Sequence, residues 1–394
     1  MRGIRADMAH VYFHIDLNAF FANAEVLLDP SLKGLPIAVS GQTRRSVIST
    51  ASYEARKFGV HSAQPVAEAL KLCPQLQIVS PHFNWYRELS EDFMNIIRNY
   101  TDLIEQASID ECYADMTEAI RKFQYPLDLA VTIQKRVFNE LGLSCSIGVG
   151  PNMFLAKMAS DMKKPMGITV LRIREVENKL WPLPIADMRG VGNKTVPILE
   201  EMGIHTIGDL ALIKDPSMLR PVFGKNTETV IRRANGYDDR TIVTEYDAKS
   251  MGVSETMLED ITDYDEIRGL FRTLSRKLSK RLIDHKKAGY SFSIRIRYFD
   301  FTSADRSVKL DHPIFKADDL FVQAMTLFDS NWDDEPVRLL GISVSDFSSD
   351  AAMISQLDLF NPIDEAKMET SQVLKELNKE ITGAKLVRAS EILK

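Results

Sequence analysis

Two adjacent acidic residues, Asp110 and Glu111, open the strand-like end of the segment ASIDECYADMT. Adjacent carboxylates repel each other, and burying either one without a partner costs several kcal/mol or shifts its pKa. The simplest interpretation of the pair is therefore an acidic turn that is exposed to water. The alternative is a site for a divalent metal ion, since proteins bind Mg²⁺ mainly through carboxylates and other oxygen ligands.

A third carboxylate, Asp16, ends the apolar segment VYFHIDL, a pattern that predicts a buried strand. With residues 20–82 set aside as an insertion, the predicted elements follow the order β, α, β, β, α, β of the ferredoxin-like split unit. The first and third strands of that unit are central neighbours, so Asp16 is expected to lie beside Asp110 and Glu111. Two Mg²⁺ ions about 3.5–4 Å apart would neutralise three such carboxylates, and metal pairs of this kind catalyse in-line phosphoryl transfer.

The composition limits the class of protein. A chain of 394 residues is too long for a single ordinary core and suggests two to four domains. The sequence shows neither a signal-peptide pattern nor an apolar run of ~20 residues. Its three cysteines form no Cys-x-x-Cys pair. We therefore expect a cytoplasmic monomer that has no membrane partner and no structural zinc.

A basic block contrasts with the net charge of −6 for the whole chain. Residues 268–309 contain twelve Lys or Arg and three Asp, a local charge of +9, and such a patch attracts phosphate. The block covers an amphipathic helix predicted at residues 265–287 and the strand YSFSIRIRYF, in which Arg295 and Arg297 share one face. A solvated charged face is the simplest interpretation, but the shared face also suits contacts along a sugar-phosphate backbone.

Four segments resemble, in this order, the motifs of the Y-family translesion DNA polymerases of the bacterial DNA polymerase IV type. They are HIDLNAFFANAE, STASYEARKFGV, ASIDECYAD and SIGVGPNMFLAKMASDMKKPMGI. The resemblance implies an α+β right-hand polymerase with a ferredoxin-like palm, small fingers and thumb, and an additional α/β little-finger domain that binds DNA. The implied boundaries are palm 1–19 and 83–175, fingers 20–82, thumb 176–238, linker 239–248, little finger 249–350 and tail 351–394.

The resemblance also implies the metal ligands. Asp16, Asp110 and Glu111 would be the catalytic carboxylates and, with the carbonyl of Leu17, would bind two Mg²⁺ ions. Many relatives have Asp-Met-Asp where this chain has Asp16-Leu17-Asn18, a difference that removes no metal ligand.

A second set of implied roles concerns the incoming deoxynucleoside triphosphate (dNTP). Phe21 occupies the steric-gate position, where its ring would clash with a ribose 2′-hydroxyl. Tyr53, Arg56 and Lys164 match positions that contact the triphosphate, and the planar guanidinium of Arg56 suits phosphate oxygens.

The remaining implied sites bind DNA and a partner protein. Gly190, Gly192 and Lys194 lie in a predicted helical hairpin whose glycines would expose backbone N–H groups to a DNA phosphate. The tail segment QLDLF resembles the pentapeptide that binds the bacterial sliding clamp (beta subunit). Its implied contact residues are Gln356, Leu357, Leu359 and Phe360.

We therefore expect a DNA-directed DNA polymerase that adds dNTPs to the primer end of primer-template DNA by two-metal phosphoryl transfer. Low fidelity, bypass of damaged template bases and a lack of proofreading are expected with it. A catalytically inactive polymerase-like scaffold that binds DNA and the clamp is the alternative. A nucleotide cyclase could use the same paired carboxylates, but it would not need the glycine hairpin, the basic block or the pentapeptide.

Overall fold

The computed structural model describes residues 10–43 and 45–348, so the segment expected to bind the sliding clamp, residues 356–360, lies outside the described residues. The chain divides into two compact units, residues 1–246 and 247–394. Among the described residues, none of the helices is both long and apolar enough to cross a lipid bilayer.

The first unit contains two sheets and the helices that pack on them. Its strands are β1 (Tyr12–Leu17), β2 (Ile37–Ser40), β3 (Ile48–Ala51), β4 (Gln77–Val79), β5 (Ile104–Gln106), β6 (Glu111–Asp115), β7 (Cys145–Gly150) and β8 (Ile168–Val170). The helices that alternate with these strands are α1 (Phe20–Leu28), α2 (Tyr53–Arg56), α3 (Val66–Leu72), α4 (Phe83–Arg98), α5 (Pro126–Leu141) and α6 (Met153–Asp161). Four short helices follow: α7 (Val196–Glu201), α8 (Ile207–Ala211), α9 (Arg220–Phe223) and α10 (Thr227–Ala234).

The larger sheet has the strand order β5-β6-β1-β7-β8. Its first four strands reproduce the ferredoxin-like order, which confirms the prediction that the strand ending in Asp16 pairs with the strand beginning at Glu111. Strand β1 is buried on both faces because it is central. Phe13 and Ile15 belong to the core that includes α4 and α5, whereas His14 and Asp16 contact residues of α6.

Helix α6 packs directly against β7 because that strand contains Gly148 and Gly150. A Cβ atom at Gly148 would lie 1.9 Å from the carbonyl oxygen of Ala156, and one at Gly150 would lie 2.7 Å from the Ala156 nitrogen. The helix can therefore approach the sheet closely enough to bring its polar residues to the end of β1.

The smaller sheet, in the order β3-β2-β4, forms a separate core with α2 and α3. Its strand β4 is only three residues long. Helix α1 shares its core with the larger sheet although it belongs to the stretch expected to be an insertion, since Phe20, Ala22 and Ala24 are buried there.

The short helices α7 to α10 form a third core with α6. Thr206 and Asp209 cap the start of α8 by a reciprocal capping box, which satisfies two backbone N–H groups at that end of the helix. Gly190 precedes this pair of helices with φ +100°, a conformation that L side chains rarely adopt.

The second unit is a four-stranded antiparallel sheet with two helices. It consists of β9 (Ser250–Ile261), α11 (Tyr264–Asp284), β10 (Gly289–Tyr298), β11 (Ser303–Ile314), α12 (Ala317–Asp329) and β12 (Val337–Phe347). The sheet order is β11-β10-β12-β9. The amphipathic helix and the alternating strand predicted here are confirmed, because Phe271 and Leu278 of α11 are buried with Phe292 and Ile294 of β10.

Candidate active site

Two of the predicted carboxylates, Asp16 and Glu111, face each other where β1 ends and β6 begins, and Asp110 lies just before β6. Asp16 lies directly opposite Glu111 in the antiparallel ladder, and the backbone N–H of Leu17 donates to the carbonyl oxygen of Asp110 at 3.0 Å. The residues between β5 and β6 bend the chain there, so Asp110 stays beside this site although it immediately precedes Glu111. Ser108 Oγ donates to Asp110 Oδ1 at 2.6 Å, and burial raises the pKa of Asp110 in spite of that hydrogen bond.

Lys157, a residue that the sequence patterns did not single out, bridges the carboxylates. Its Nζ lies 2.6 Å from Glu111 Oε1 and 3.2 Å from Asp16 Oδ2, and its side chain is 5% exposed. Burial by itself would lower the pKa of Lys157, but Asp16, Asp161 and Glu111 raise it, so the ammonium group stays charged. This buried cation offsets part of the repulsion between Asp16 and Glu111.

Lys164 brings a second ammonium group to the same carboxylate. Its Nζ lies 2.6 Å from Asp16 Oδ2 and 2.8 Å from Asp161 Oδ1. The predicted phosphate-binding lysine is therefore at the acidic site, where it contacts one of the predicted metal ligands. Neighbouring Lys163 is exposed to solvent, as expected.

His14 lies beneath the carboxylates on the face of β1 that contacts α6, and it is fully buried. The hydroxyl of Ser160 donates to the carbonyl oxygen of Lys157, so its oxygen accepts from Nδ1–H of His14 at 2.8 Å. The Nε2 atom has no hydrogen-bond partner and faces Glu111 Oε2 at 3.7 Å. Burial lowers the pKa of His14 to about 4, so the ring is neutral at ordinary pH.

The two facing carboxylates differ in their affinity for a proton. Burial raises the pKa of Asp16 to about 7, an effect that the contact with Glu111 strengthens and that Lys164 and Lys157 oppose. Burial acts on Glu111 in the same direction, but its contacts with Asp16 and with the Lys157 ammonium group hold the pKa of Glu111 well below its usual value. Asp16 is therefore the member of the pair that takes up a proton first as the pH falls.

The donor set at this site suits Mg²⁺, because carboxylate and carbonyl oxygens are the ligands that this ion prefers. Among residues 10–43 and 45–348, no three His, Cys, Asp or Glu side chains converge as a ready-made metal site. Asp16 and Glu111 instead contact the two lysine ammonium groups. A bound cation would thus share these carboxylates with Lys157 and Lys164.

Tyr53 and Arg56 lie on one short helix, α2, whose start is capped by Ser52 accepting from the Ala55 N–H. The Arg56 guanidinium lies 4.7 Å from the centre of the Tyr53 ring, and its Nε donates to the Ala51 carbonyl at 3.0 Å. The Tyr53 hydroxyl is buried without a hydrogen-bond partner. Burial raises the pKa of Tyr53, so the phenol keeps its proton and can donate it to an acceptor brought by a ligand.

Phe21 is held by an aromatic stack. Its ring lies parallel to that of Tyr86, with 4.3 Å between the centroids and an angle of 13°. The Tyr86 hydroxyl donates to the buried carboxylate of Glu25, which also contacts Nδ1 of His82 at 2.9 Å. This network fixes the plane of Phe21, whereas adjacent Phe20 is a buried core residue.

The sequence resembles known protein families and known proteins over most of its length. The model of the impB/mucB/samB family matches residues 15–161, that of its C-terminal domain matches 248–359, and the IMS family HHH motif matches 174–204. DNA polymerase IV of Bacillus velezensis is 43% identical over 394 residues, with 99% of this chain and 94% of that protein covered. DNA polymerase IV 1 of Bacillus subtilis is also 43% identical, with coverage of 98% and 94%.

Solved structures agree with the sequence relatives. A Y-family DNA polymerase chimera of Dbh and Dpo4 matches with a TM-score of 0.77 and 26% identity, over 85% of this chain and 98% of the chimera. DinB from Sulfolobus solfataricus matches with a TM-score of 0.58, 26% identity and the same coverage. The chain belongs to the Y family of DNA polymerases. The α+β fold and the family predicted from the four sequence motifs are thereby confirmed.

The residues predicted to hold DNA in this Y-family polymerase lie in both units. Gly190, Gly192 and Lys194 are exposed in the loop that leads into α7. In the second unit, Arg295 and Arg297 lie on one face of β10, where Arg295 pairs with Asp305 at 2.7 Å and Arg297 donates to Ser303 Oγ at 3.2 Å. Their contacts with DNA stay predictions.

Two residues of the polymerase site escaped the sequence interpretation, Lys157 and His14. Each interrupts an apolar stretch, and Lys157 is a charged side chain within the entirely buried run of residues 153–160. That signal alone could have indicated Lys157, because a buried lysine requires an acidic partner. His14 offered a weaker signal, since a buried histidine within a strand is compatible with many structural roles.

Proposed function

We propose that Asp16, Asp110 and Glu111 are the catalytic carboxylates of this chain and that, with the Leu17 carbonyl, they hold two Mg²⁺ ions. The chain is a DNA-directed DNA polymerase. The observation that carries the proposal is the pairing of Asp16 with Glu111 at the end of β1, beside two lysine ammonium groups. When bound, the ions would supply positive charge at the reacting phosphate groups.

In the proposed reaction the primer 3′-oxygen forms a bond to the α-phosphorus of the dNTP. The hydroxyl loses its proton, and the bond to the leaving pyrophosphate breaks. Lys164 and Arg56 bind the triphosphate oxygens, and the buried Tyr53 hydroxyl donates the hydrogen bond for which it has no partner within the protein. Lys157 keeps Asp16 and Glu111 at a fixed separation throughout, because its ammonium group contacts both.

Sugar selection in this proposal depends on Phe21. Its ring is stacked on Tyr86 and cannot rotate away without breaking that stack. A ribose 2′-hydroxyl above the ring would therefore clash with it. The polymerase would extend primers past damaged template bases with low fidelity and without proofreading. Residues 356–360 would bind the sliding clamp and so raise the local concentration of polymerase at the primer end.

The test is primer extension with Mg²⁺ and dNTPs on intact and abasic templates. We expect Asp110→Asn combined with Glu111→Gln to abolish extension while the affinity for primer-template DNA is kept. The matched control combines Asp102→Asn with Glu88→Gln, which makes the same chemical change at two exposed positions of the first unit and should leave extension intact. Wild-type protein that binds primer-template DNA but adds no nucleotide would instead support the inactive scaffold.

A further inference from the structure

The backbone N–H and the backbone carbonyl of Met166 each form a hydrogen bond with a side-chain amide. Asn18 Oδ1 accepts from the Met166 N–H at 2.9 Å, and Gln134 Nε2 donates to the Met166 carbonyl at 2.9 Å. Asn18 immediately follows β1, Gln134 lies in the middle of α5, and Met166 lies two residues after Lys164. We call Asn18 and Gln134 together the Met166 bracket.

The amide of Asn18 has only one orientation that satisfies its neighbours. A backbone N–H can only donate, so Oδ1 must face Met166, and Nδ2 then donates to Ser146 Oγ at 2.8 Å. Asn18 is 2% exposed, and its backbone N–H donates to the Ser144 carbonyl at 2.8 Å. The side chain is therefore a fixed acceptor at the end of the strand that carries Asp16.

Gln134 provides the second contact from a different element. The same Nε2 atom also donates to the carbonyl of Cys145, the first residue of β7, at 2.9 Å. The loop between α6 and β8 is thus tied to β7 through one amide and to the end of β1 through the other.

The bracket adds to one backbone contact beside it, because the Ile147 N–H of β7 donates to the Gly167 carbonyl at 2.9 Å. The Met166 side chain is 50% exposed, so burial of that side chain does not hold the loop. The turn itself is tight, because a Cβ atom at Gly167 would lie 2.1 Å from the Lys163 carbonyl oxygen. A shift of the Met166 peptide is therefore transmitted to Lys164, which contacts Asp16 at 2.6 Å.

We propose that Asn18 and Gln134 are positioning residues for dNTP binding, because they set the place of Lys164 without touching the substrate. This inference rests on the proposed role of Lys164 in binding the triphosphate. The ammonium group of Lys164 can bind the triphosphate only if the backbone that carries this long side chain stays in place. Loss of the bracket lets that backbone move.

The test compares single-nucleotide insertion by bracket variants with that by Lys164→Met. We expect Lys164→Met, Asn18→Leu and Gln134→Met each to raise the KM for dNTP, the two bracket variants by about tenfold, with a smaller change in kcat. Asn18→Leu placed in the Lys164→Met background should add little, because Asn18 acts on dNTP binding only through the position of Lys164. Asn18→Asp should stay near wild type, since it keeps the acceptor for Met166 and the Ser146 hydroxyl can rotate to donate to it.

Two matched controls separate the bracket from its surroundings. Asn23→Leu removes an amide that donates to the Asn18 carbonyl, and Lys135→Met changes the exposed neighbour of Gln134. Both should keep the wild-type KM. Hydrogen exchange of the Met166 amide gives a readout independent of activity, and it should become faster in Asn18→Leu but not in Asn23→Leu.

Different failures have different meanings. An unchanged KM in Lys164→Met would refute the proposed role of Lys164 and the inference with it. A raised KM in Lys164→Met with wild-type values in both bracket variants would refute the inference alone. Effects of Asn18→Leu and Lys164→Met that multiply in the double variant would also overturn it, because the two residues would then act independently. Gln134→Met decides the question if Asn18→Leu does not fold.

Discussion

Burial keeps His14 uncharged beside Asp16 and Glu111, and this makes the stability of the first unit depend on pH. The pKa of the ring is about 4 in the folded protein and about 6.5 in an unfolded chain, so the folded state binds fewer protons between these values. The contribution of His14 to stability is therefore present above pH 6.5 and is lost as the pH falls toward 4. At pH 5 the loss is about 2 kcal/mol relative to pH 7.

The measurement is urea unfolding of the metal-free protein at pH 7 and pH 5. Wild type should lose about 2 kcal/mol more than His14→Gln over this interval, because glutamine does not titrate there. Because the pKa of Asp16 is raised, its contribution to the free energy of unfolding changes with pH in the opposite direction. This contribution is common to both proteins and largely cancels in the comparison. His61→Gln, at an exposed position, should behave like wild type. An identical pH dependence in wild type and His14→Gln would show that the ring is protonated at pH 5 in the folded state, as it is in the unfolded chain.

At the scale of elements, the close contact between β7 and α6 places Lys157 on the carboxylates. Gly148→Ala would put a methyl group 1.9 Å from the Ala156 carbonyl and 2.3 Å from the Ser160 nitrogen, both of them backbone atoms that cannot turn aside. We expect the free energy of unfolding of the first unit to fall by about 3 kcal/mol. DNA synthesis should fall with it, because α6 must move outward and carry Lys157 away from Asp16 and Glu111.

The control for this prediction is the same substitution in a helix of the second unit. Gly269→Ala in α11 meets no heavy atom within 4 Å and should stabilise the second unit by up to about 1 kcal/mol. Chemical unfolding followed separately for the two units measures both effects. Gly148→Ala with wild-type stability and activity would mean that the helix is not held against the strand.

Elements with a clear hydrophobic period could be predicted from the sequence, and contacts between distant elements could not. The apolar run VYFHIDL and the order of strands sufficed to place Asp16 beside Glu111, because such a run predicts a buried strand. The position of Lys157 depends on how closely α6 approaches β7, which two glycines decide. The hydrogen bond between Asn18 and Met166 joins residues 148 positions apart, and Met166 lies in a loop whose sequence has no hydrophobic periodicity.

At the scale of the whole molecule, the net charge of −6 opposes DNA binding, so the second unit must attract the phosphate backbone locally. The sheet face beside Arg295 includes small residues, since Arg295 pairs with Gly341 and Ser293 pairs with Ser343 in the adjacent strand β12. A face of this kind lets a phosphate backbone approach the two arginines closely. The ion pair of Arg295 with Asp305 is exposed on both sides and is weak enough to be exchanged for a phosphate.

We therefore predict that Arg295→Gln combined with Arg297→Gln weakens binding to primer-template DNA and reduces the slope of log K against log salt by about 1 for each phosphate contact removed. Arg268→Gln combined with Arg276→Gln is the matched control, because it removes the same charge from exposed positions of α11 rather than from the sheet face. Titration of labelled primer-template DNA at several salt concentrations measures both slopes. Equal slopes in the two double variants would mean that the unit acts through its total charge. A smaller slope only for the sheet-face variant would mean that β10 itself contacts the phosphates, which would explain how an acidic chain binds DNA.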